Sequence, residues 1–314
     1  MIKFDSRLSS LLMLAAVFTG AVRLQGQQNT AVVPVKMTVT VNVAPDGRKP
    51  QINRSDVVVK LSDTAVPVTE WVPAQGDRAG LDLFILIDDA CDTSLGSQLN
   101  DLRTFASGQV ETTAVGIGYM RNATVQIAQN FTPEHEQAAK AIRLPTGFVG
   151  AFGSPYLSLI DLIERWPDHP DRRREVIMVS DGIDRARRGR NALVNPDADR
   201  ASEVAQRTGT IIHTIYFPGV GHWRRNFWEA NNGAMALGKL SDLTGGESFF
   251  LGLPAPVSFR PYLETLQRNF NNQYWLGFSA NPGNRAGLES VAVTTEVTGV
   301  DFSYADAVWV PTAK

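Results

Sequence analysis

Residues Leu83 to Ser94 read LFILIDDACDTS, and the reading of this stretch decides the fold. Leu83, Phe84, Ile85, Leu86 and Ile87 are apolar without a polar break, which describes a buried strand. Carboxylates follow at once: Asp88, Asp89 and, after Ala90 and Cys91, Asp92. Acids at the end of a buried strand carry a desolvation cost unless something meets them. In a parallel α/β sheet that edge is where ligands gather. A metal, a phosphate and the chain's own N–H groups are the candidates.

Outward from this strand the pattern alternates. Leu95, Leu99, Leu102 and Phe105 recur at helical spacing, and TTAVGIGYM and ATVQIAQNF then read as strands. Ser154-Pro155 is a helix start, with Leu159, Leu162 and Ile163 on one face. EVIMVSDG is a second buried strand that ends in acid, at Asp181, with Gly182 and Asp184 after it. Asp197 to Arg207 reads as a helix, GTIIHTIYF as a strand, AMALGKLSDLTGG as a helix with a glycine stop, and ESFFL as a strand. Strands alternating with helices predict an α/β fold, a doubly wound, mostly parallel sheet with helices on both faces.

Both flanks differ. Val35, Met37, Val39, Val41 and Val43 alternate with polar residues, as do Val57, Val59 and Leu61, with a turn at Ser62-Asp63 before Val66 to Val72. After a helix carrying Leu263, Leu266 and Phe270 come QYWLGFSA, the alternation Val291, Val293, Thr295, Val297, and Tyr304 to Val310. The expectation is a small β region of three or four strands at 32–78, the α/β domain at 79–254, and a helix and β segment at 255–314. The two flanks are expected to pair.

Composition narrows the function. The chain has 314 residues, 43% of them hydrophobic and 20% charged, with a formal net charge of -2, so no global charge favours nucleic acid. Its single cysteine excludes a disulfide within the chain, and its four histidines show no paired metal spacing. Lys3 and Arg7 precede the apolar run LSSLLMLAAVFTGAV, so residues 1–26 read as a signal peptide and the protein as exported, periplasmic or extracellular. No later segment is long and apolar enough to span a membrane.

The order of the acid-ended first strand, Gly-Ser-Pro helix start, VSDG and LGKLSDLTGGESFF resembles a von Willebrand factor A domain. With its flanks VNVAPDGRKPQINRSDVVVKLSDTAVPVTEW and LQRNFNNQYWLGFSANP, the chain resembles the bacterial, mainly acidobacterial, proteins related to that family. The resemblance implies a protein-binding or adhesion module with a metal-ion-dependent adhesion site. That site has Asp-x-Ser-x-Ser on its first loop, a Thr on the second and an Asp on the third. Carried over, the metal ligands are Asp88, Asp92, Ser154 and Asp181, and the ion is Mg2+, or Ca2+ or Mn2+. Ala90 and Asp92 stand at the two serine positions and Ser154 at the threonine, so the site is degenerate. Ala90 offers no oxygen, and Asp92 brings a charge where a hydroxyl belongs. Arg185, Arg187, Arg188 and Arg190 follow VSDG, so an arginine in the ion's place is the alternative to a metal. A third reading has Asp88 and Asp181 only capping helices and accepting loop N–H groups.

Asp89, Asp184, Arg187, Arg188, Trp223 and Trp228 are the further candidates for partner contact. The last two fall in a stretch, FPGVGHWRRNFWEANNG, that reads as a loop rich in aromatic and arginine side chains. Cys91, beside acids, reads as a packed thiol and not a nucleophile. Enzyme signatures are missing: AFGSPYL is not a nucleophile elbow, and no phosphate-binding glycine loop follows the first strand. The expectation is therefore a non-enzymatic module that meets a protein or another extracellular macromolecule. The alternatives are a metal-independent scaffold binding through its basic and aromatic loops, and a metal-assisted hydrolase with Asp89 or Asp184 as base.

Overall fold

The computed structural model describes residues 32–43, 51–147, 153–186, 195–220, 227–250, 252, 254–283 and 285–312. The amino-terminal flank forms β1 (Val33–Val43), β2 (Val57–Leu61), β3 (Thr64–Val66) and β4 (Val68–Pro73). The Ser62-Asp63 turn between β2 and β3 has positive φ at both residues (45° and 66°), the twist that suits a two-residue hairpin. The α/β domain then runs β5 (Leu81–Asp88), a 3-10 turn (Thr93–Gln98), α1 (Leu99–Ser107), β6 (Thr113–Arg121), β7 (Thr124–Thr132), α2 (His135–Lys140), α3 (Pro155–Glu164), β8 (Arg173–Ser180), α4 (Pro196–Thr208), β9 (Thr210–Tyr216), α5 (Phe227–Thr244) and β10 (Ser248–Phe249). The chain closes with α6 (Arg260–Asn271), β11 (Gln273–Ala280), β12 (Gly287–Thr295), β13 (Val300–Ser303) and β14 (Ala307–Val310).

The quoted stretch is the middle of the molecule. The central sheet has the order β10-β9-β8-β5-β6-β7, parallel except for the edge strand β7. The chain builds outward from β5 through β6 to β7, then returns to β5's other side for β8. That reversal opens a crevice between the carboxyl ends of β5 and β8. The period of two along β5 separates two cores. Leu81, Leu83, Ile85 and Ile87 pack with α1, α2 and α6, while Phe84 and Leu86 pack with α3, α4 and α5. Helices therefore cover both faces, which is why no residue of β5 is exposed.

The flanks form two further four-stranded sheets, β13-β1-β11-β4 and β14-β12-β2-β3, around a third core. Strands from opposite ends of the chain pair: β1 lies antiparallel to β11, and β2 to β12. This β region is larger than the three or four strands read from the amino-terminal flank, because each flank supplies half of each sheet. It meets the α/β domain at the amino ends of the parallel strands. There the buried Arg173, at the start of β8, donates to the Phe270 carbonyl (3.0 Å), the Ala79 carbonyl (2.8 Å) and the Gln273 side chain. The opposite, carboxyl edge of the sheet is left to the loops. Among the described residues no helix is long and apolar enough to cross a membrane.

Candidate functional site

Asp88 is the last residue of β5, and its carboxylate is 6% exposed. Its Oδ1 accepts from the Ala90 N–H (2.8 Å) and its Oδ2 from the Ser180 hydroxyl (2.8 Å). Ser180 ends β8, and its oxygen accepts in turn from the Gly182 N–H (3.1 Å). Asp181 follows. Its Oδ1 accepts from the Ile183 N–H (3.1 Å), and its Oδ2 is ion-paired with Nη2 of Arg185. The two strand-end acids thus lie in one buried cluster, with Ser180 bonded to Asp88 and the Arg185 guanidinium paired with Asp181 and acting on Asp88 through its charge.

Arg185 is held on three sides. Its backbone N–H donates to the Gly153 carbonyl (2.7 Å), its Nη1 donates to the Ile183 carbonyl (3.2 Å), and its side chain is 13% exposed. The Gly153 contact ties the Asp181 loop to the start of α3, where Ser154 caps the helix and Pro155 opens it. Gly219, in the loop after β9, closes over the pair. A Cβ there would collide with the Asp181 carboxylate and lie 2.9 Å from Nη2 of Arg185. That loop is stitched to the first one by Asp92 N–H to Pro218 O and Val220 N–H to Ala90 O, both 2.9 Å. Gly182 (φ 69°) packs so closely on Gly233 of α5 that a side chain at Gly182 would strike the helix backbone and one at Gly233 the Asp181 carbonyl.

Burial raises the Asp88 carboxyl to about 6; Arg185 opposes that rise and Asp181 adds to it. For Arg185, burial acts against the charge, but Asp181 and Asp88 outweigh it and the group is raised. Burial, with the Asp88 and Asp181 charges, raises the Cys91 thiol. Burial and the adjoining Asp197 carboxyl raise Asp184.

The sequence candidates are therefore distributed as follows. Asp88, Ser154 and Arg185 line one cleft with Ala90 and the Asn122-Ala123 turn between β6 and β7, and Asp181 lies behind Arg185. Asp92 caps the 3-10 turn, accepting from Ser94 N–H (2.9 Å). Asp89 is fully buried and held by both Nη atoms of Arg143 (2.7 and 3.0 Å) and by Thr146 N–H (3.1 Å), so it presents no oxygen to a partner. Arg143 also stacks on Tyr119, its guanidinium carbon 3.6 Å from the ring centre. Trp228 is 67% exposed beside Phe227, and both stand on the first turns of α5 where the sequence reading placed a loop. Arg187, Arg188 and Trp223 lie outside the described residues. Sequence reasoning missed Ser180, Arg143 and Gly219, and of the four arginines after VSDG it did not single out Arg185. The available signal was the four-residue interval from Asp181 to Arg185.

The strand order, its reversal at β5 and the acid-ended strands on either side of the crevice define a von Willebrand factor A-like fold. No protein-family model and no curated protein sequence matches the chain. Among solved structures, similarity is found to an aerotolerance-related membrane protein from Bacteroides fragilis, at 12% identity, covering 61% of this chain and 99% of that one, with a TM-score of 0.42. It is also found to the SpRpn10 VWA domain, at 10% identity, covering 59% and 94%, with a TM-score of 0.36. A third similarity is to the manganese-loaded TRAP protein of Plasmodium vivax, at 11% identity, covering 82% and 100%, with a TM-score of 0.39.

Proposed function

We propose that this protein is an exported von Willebrand factor A-like binding module that meets a protein or another extracellular macromolecule at the carboxyl edge of its central sheet. The observation that carries this reading is the buried Asp88–Ser180–Asp181–Arg185 cluster at the crevice where the strand order reverses, with Ser154 on its rim. A charged cluster built from the ends of two strands is costly to assemble and sits where α/β sheets receive ligands. The β region covers the other end of the strands, which leaves the loop edge as the face open to a partner.

The rim adds strain to charge. Asn122 and Ala123 both have positive φ (52° and 61°) in the turn that lines the cleft, and an alanine in that conformation is unfavourable on its own. A binding role is supported by the state of one proposed base: Asp89 is sealed by Arg143.

The test is positional. A photoreactive side chain at Asn122, on the rim, and another at Asp171, ahead of β8 at the far end of the sheet, are compared in the native cell envelope. Capture of one defined partner from Asn122 and none from Asp171 is the expected result. Equal capture from both positions, or capture only from Asp171, removes the reading.

A further inference from the structure

We infer that the guanidinium of Arg185 stands in for the divalent cation of a metal-ion-dependent adhesion site, so that this edge of the sheet is organised and binds without metal. The inference rests on the reading above only for the place of the site.

The oxygens decide it. Asp88 spends Oδ1 on the Ala90 N–H and Oδ2 on the Ser180 hydroxyl. Asp181 spends Oδ1 on the Ile183 N–H and Oδ2 on Arg185. Ala90 has no side-chain oxygen to replace them, and Asp92 accepts from Ser94 N–H in capping its own turn. Ser154 Oγ caps α3, accepting from the Leu157 N–H (3.4 Å). A divalent ion needs about six oxygen ligands, water among them, and the position one would take beside Asp181 Oδ2 is filled by the guanidinium. Among the described residues no group of three or more His, Cys, Asp and Glu side chains is arranged to hold one.

The cation is tethered, not casual. Its backbone is fixed to Gly153, its Nη1 to Ile183, and the absence of a side chain at Gly219 gives the guanidinium and the Asp181 carboxylate their shared space. A guanidinium cannot be replaced by bulk chelator, and its charge repels a second cation from the same position.

Electron paramagnetic resonance of Mn2+ titrated into the full chain tests this directly. The unmodified protein is expected to bind no Mn2+ at the site and to show no change in Tm with Mg2+, Ca2+, Mn2+ or a chelator. Arg185→Ser, which frees the position and adds a hydroxyl, is expected to gain one Mn2+ site and a Mn2+-dependent rise in Tm. One equivalent of Mn2+ bound by the unmodified chain and lost in Asp88→Asn overturns the inference. So does a folded Arg185→Ser chain that gains none, because the guanidinium would then not occupy a cation's position. Should Arg185→Ser fail to fold, the titration of the unmodified chain and of Asp88→Asn decides alone. Failure of partner capture at Asn122 removes the binding reading and leaves the metal result standing.

Discussion

Asp88, Asp181 and Arg185 put two carboxylates against one guanidinium in a buried site, and Asp88 carries the imbalance. Its carboxyl is raised from 3.8 to about 6, first by burial. A carboxyl raised on folding holds its proton more tightly in the native state than in the unfolded chain. Its contribution to stability is therefore fully present below the unfolded value and is lost as pH rises through about 6. Asp88→Asn fixes the neutral form. Relative to the unmodified protein, this variant is expected to move in the stabilising direction by about 1 kcal/mol between about pH 5 and about pH 7.5 in urea unfolding. Movement the other way would show that the charged form is the better satisfied one. Cys91 next to it is fully buried, its Sγ 3.8 Å from the Val179 carbonyl, and its thiol is raised by burial and by the Asp88 and Asp181 charges. Alkylation of Cys91 is expected to proceed only at the rate of unfolding, and fast labelling of the native protein would contradict that.

The elements around the site are pinned by pairs that lie far apart in the chain. Arg143, in the segment after α2, holds the fully buried Asp89 across 54 positions, and this bond fixes that segment against the end of β5. Arg143→Ala leaves Asp89 buried without its cation and is expected to cost about 2–3 kcal/mol, just below the range of about 3–5 kcal/mol for fully buried pairs because Arg143 is itself half-exposed. Adding Asp89→Asn to that variant should return part of the loss, and a double variant no better than Arg143→Ala alone would argue against the pair as the cause. The apolar runs and their periodicity were enough to find β5, β8 and β9 and the helices α1, α3 and α4, but not the six-residue α2. Pairing was not legible in the same way. Nothing in the segment around Arg143 marks it as the partner of Asp89, and a basic run such as RARRGR does not say which arginine turns inward. Only the spacing from Asp181 and the short reach of its loop select Arg185. Phe227 and Trp228 were read as loop because aromatic residues between glycines and arginines carry no helical period of their own. In the structure they ride on α5, whose buried face of Ala234, Leu237 and Leu240 begins a turn or more later.

Across the whole molecule, the flanks and the α/β domain are less separable than the change of pattern along the sequence suggests. Phe259, Tyr262, Leu263, Leu266 and Phe270 of the segment around α6 belong to the same core as β5 and α1. A boundary at 254 therefore cuts through that core. At about 1.5–3 kcal/mol for each fully buried apolar side chain, losing them is comparable to the whole net stability of an ordinary domain. A chain of residues 79–254 is expected to bind hydrophobic dye and to lack a cooperative thermal transition, whereas one of residues 79–271 melts cooperatively. The opposite ranking would place α6 with the β region. That region in turn depends on both ends of the chain, because β1 pairs with β11 and β2 with β12. Alternating valines announced these strands, but a period of two reports a wet and a dry face and not the partner strand. The eight-stranded arrangement was therefore visible only in part.

Diffraction from crystals grown in millimolar Mn2+, with data collected at the manganese absorption edge, puts the central claim to its most direct trial. The expected map has the Arg185 guanidinium on Asp181 beside Asp88 and no anomalous peak in that cleft. A manganese peak coordinated by Asp88 and Asp181, with Arg185 turned away, would contradict it.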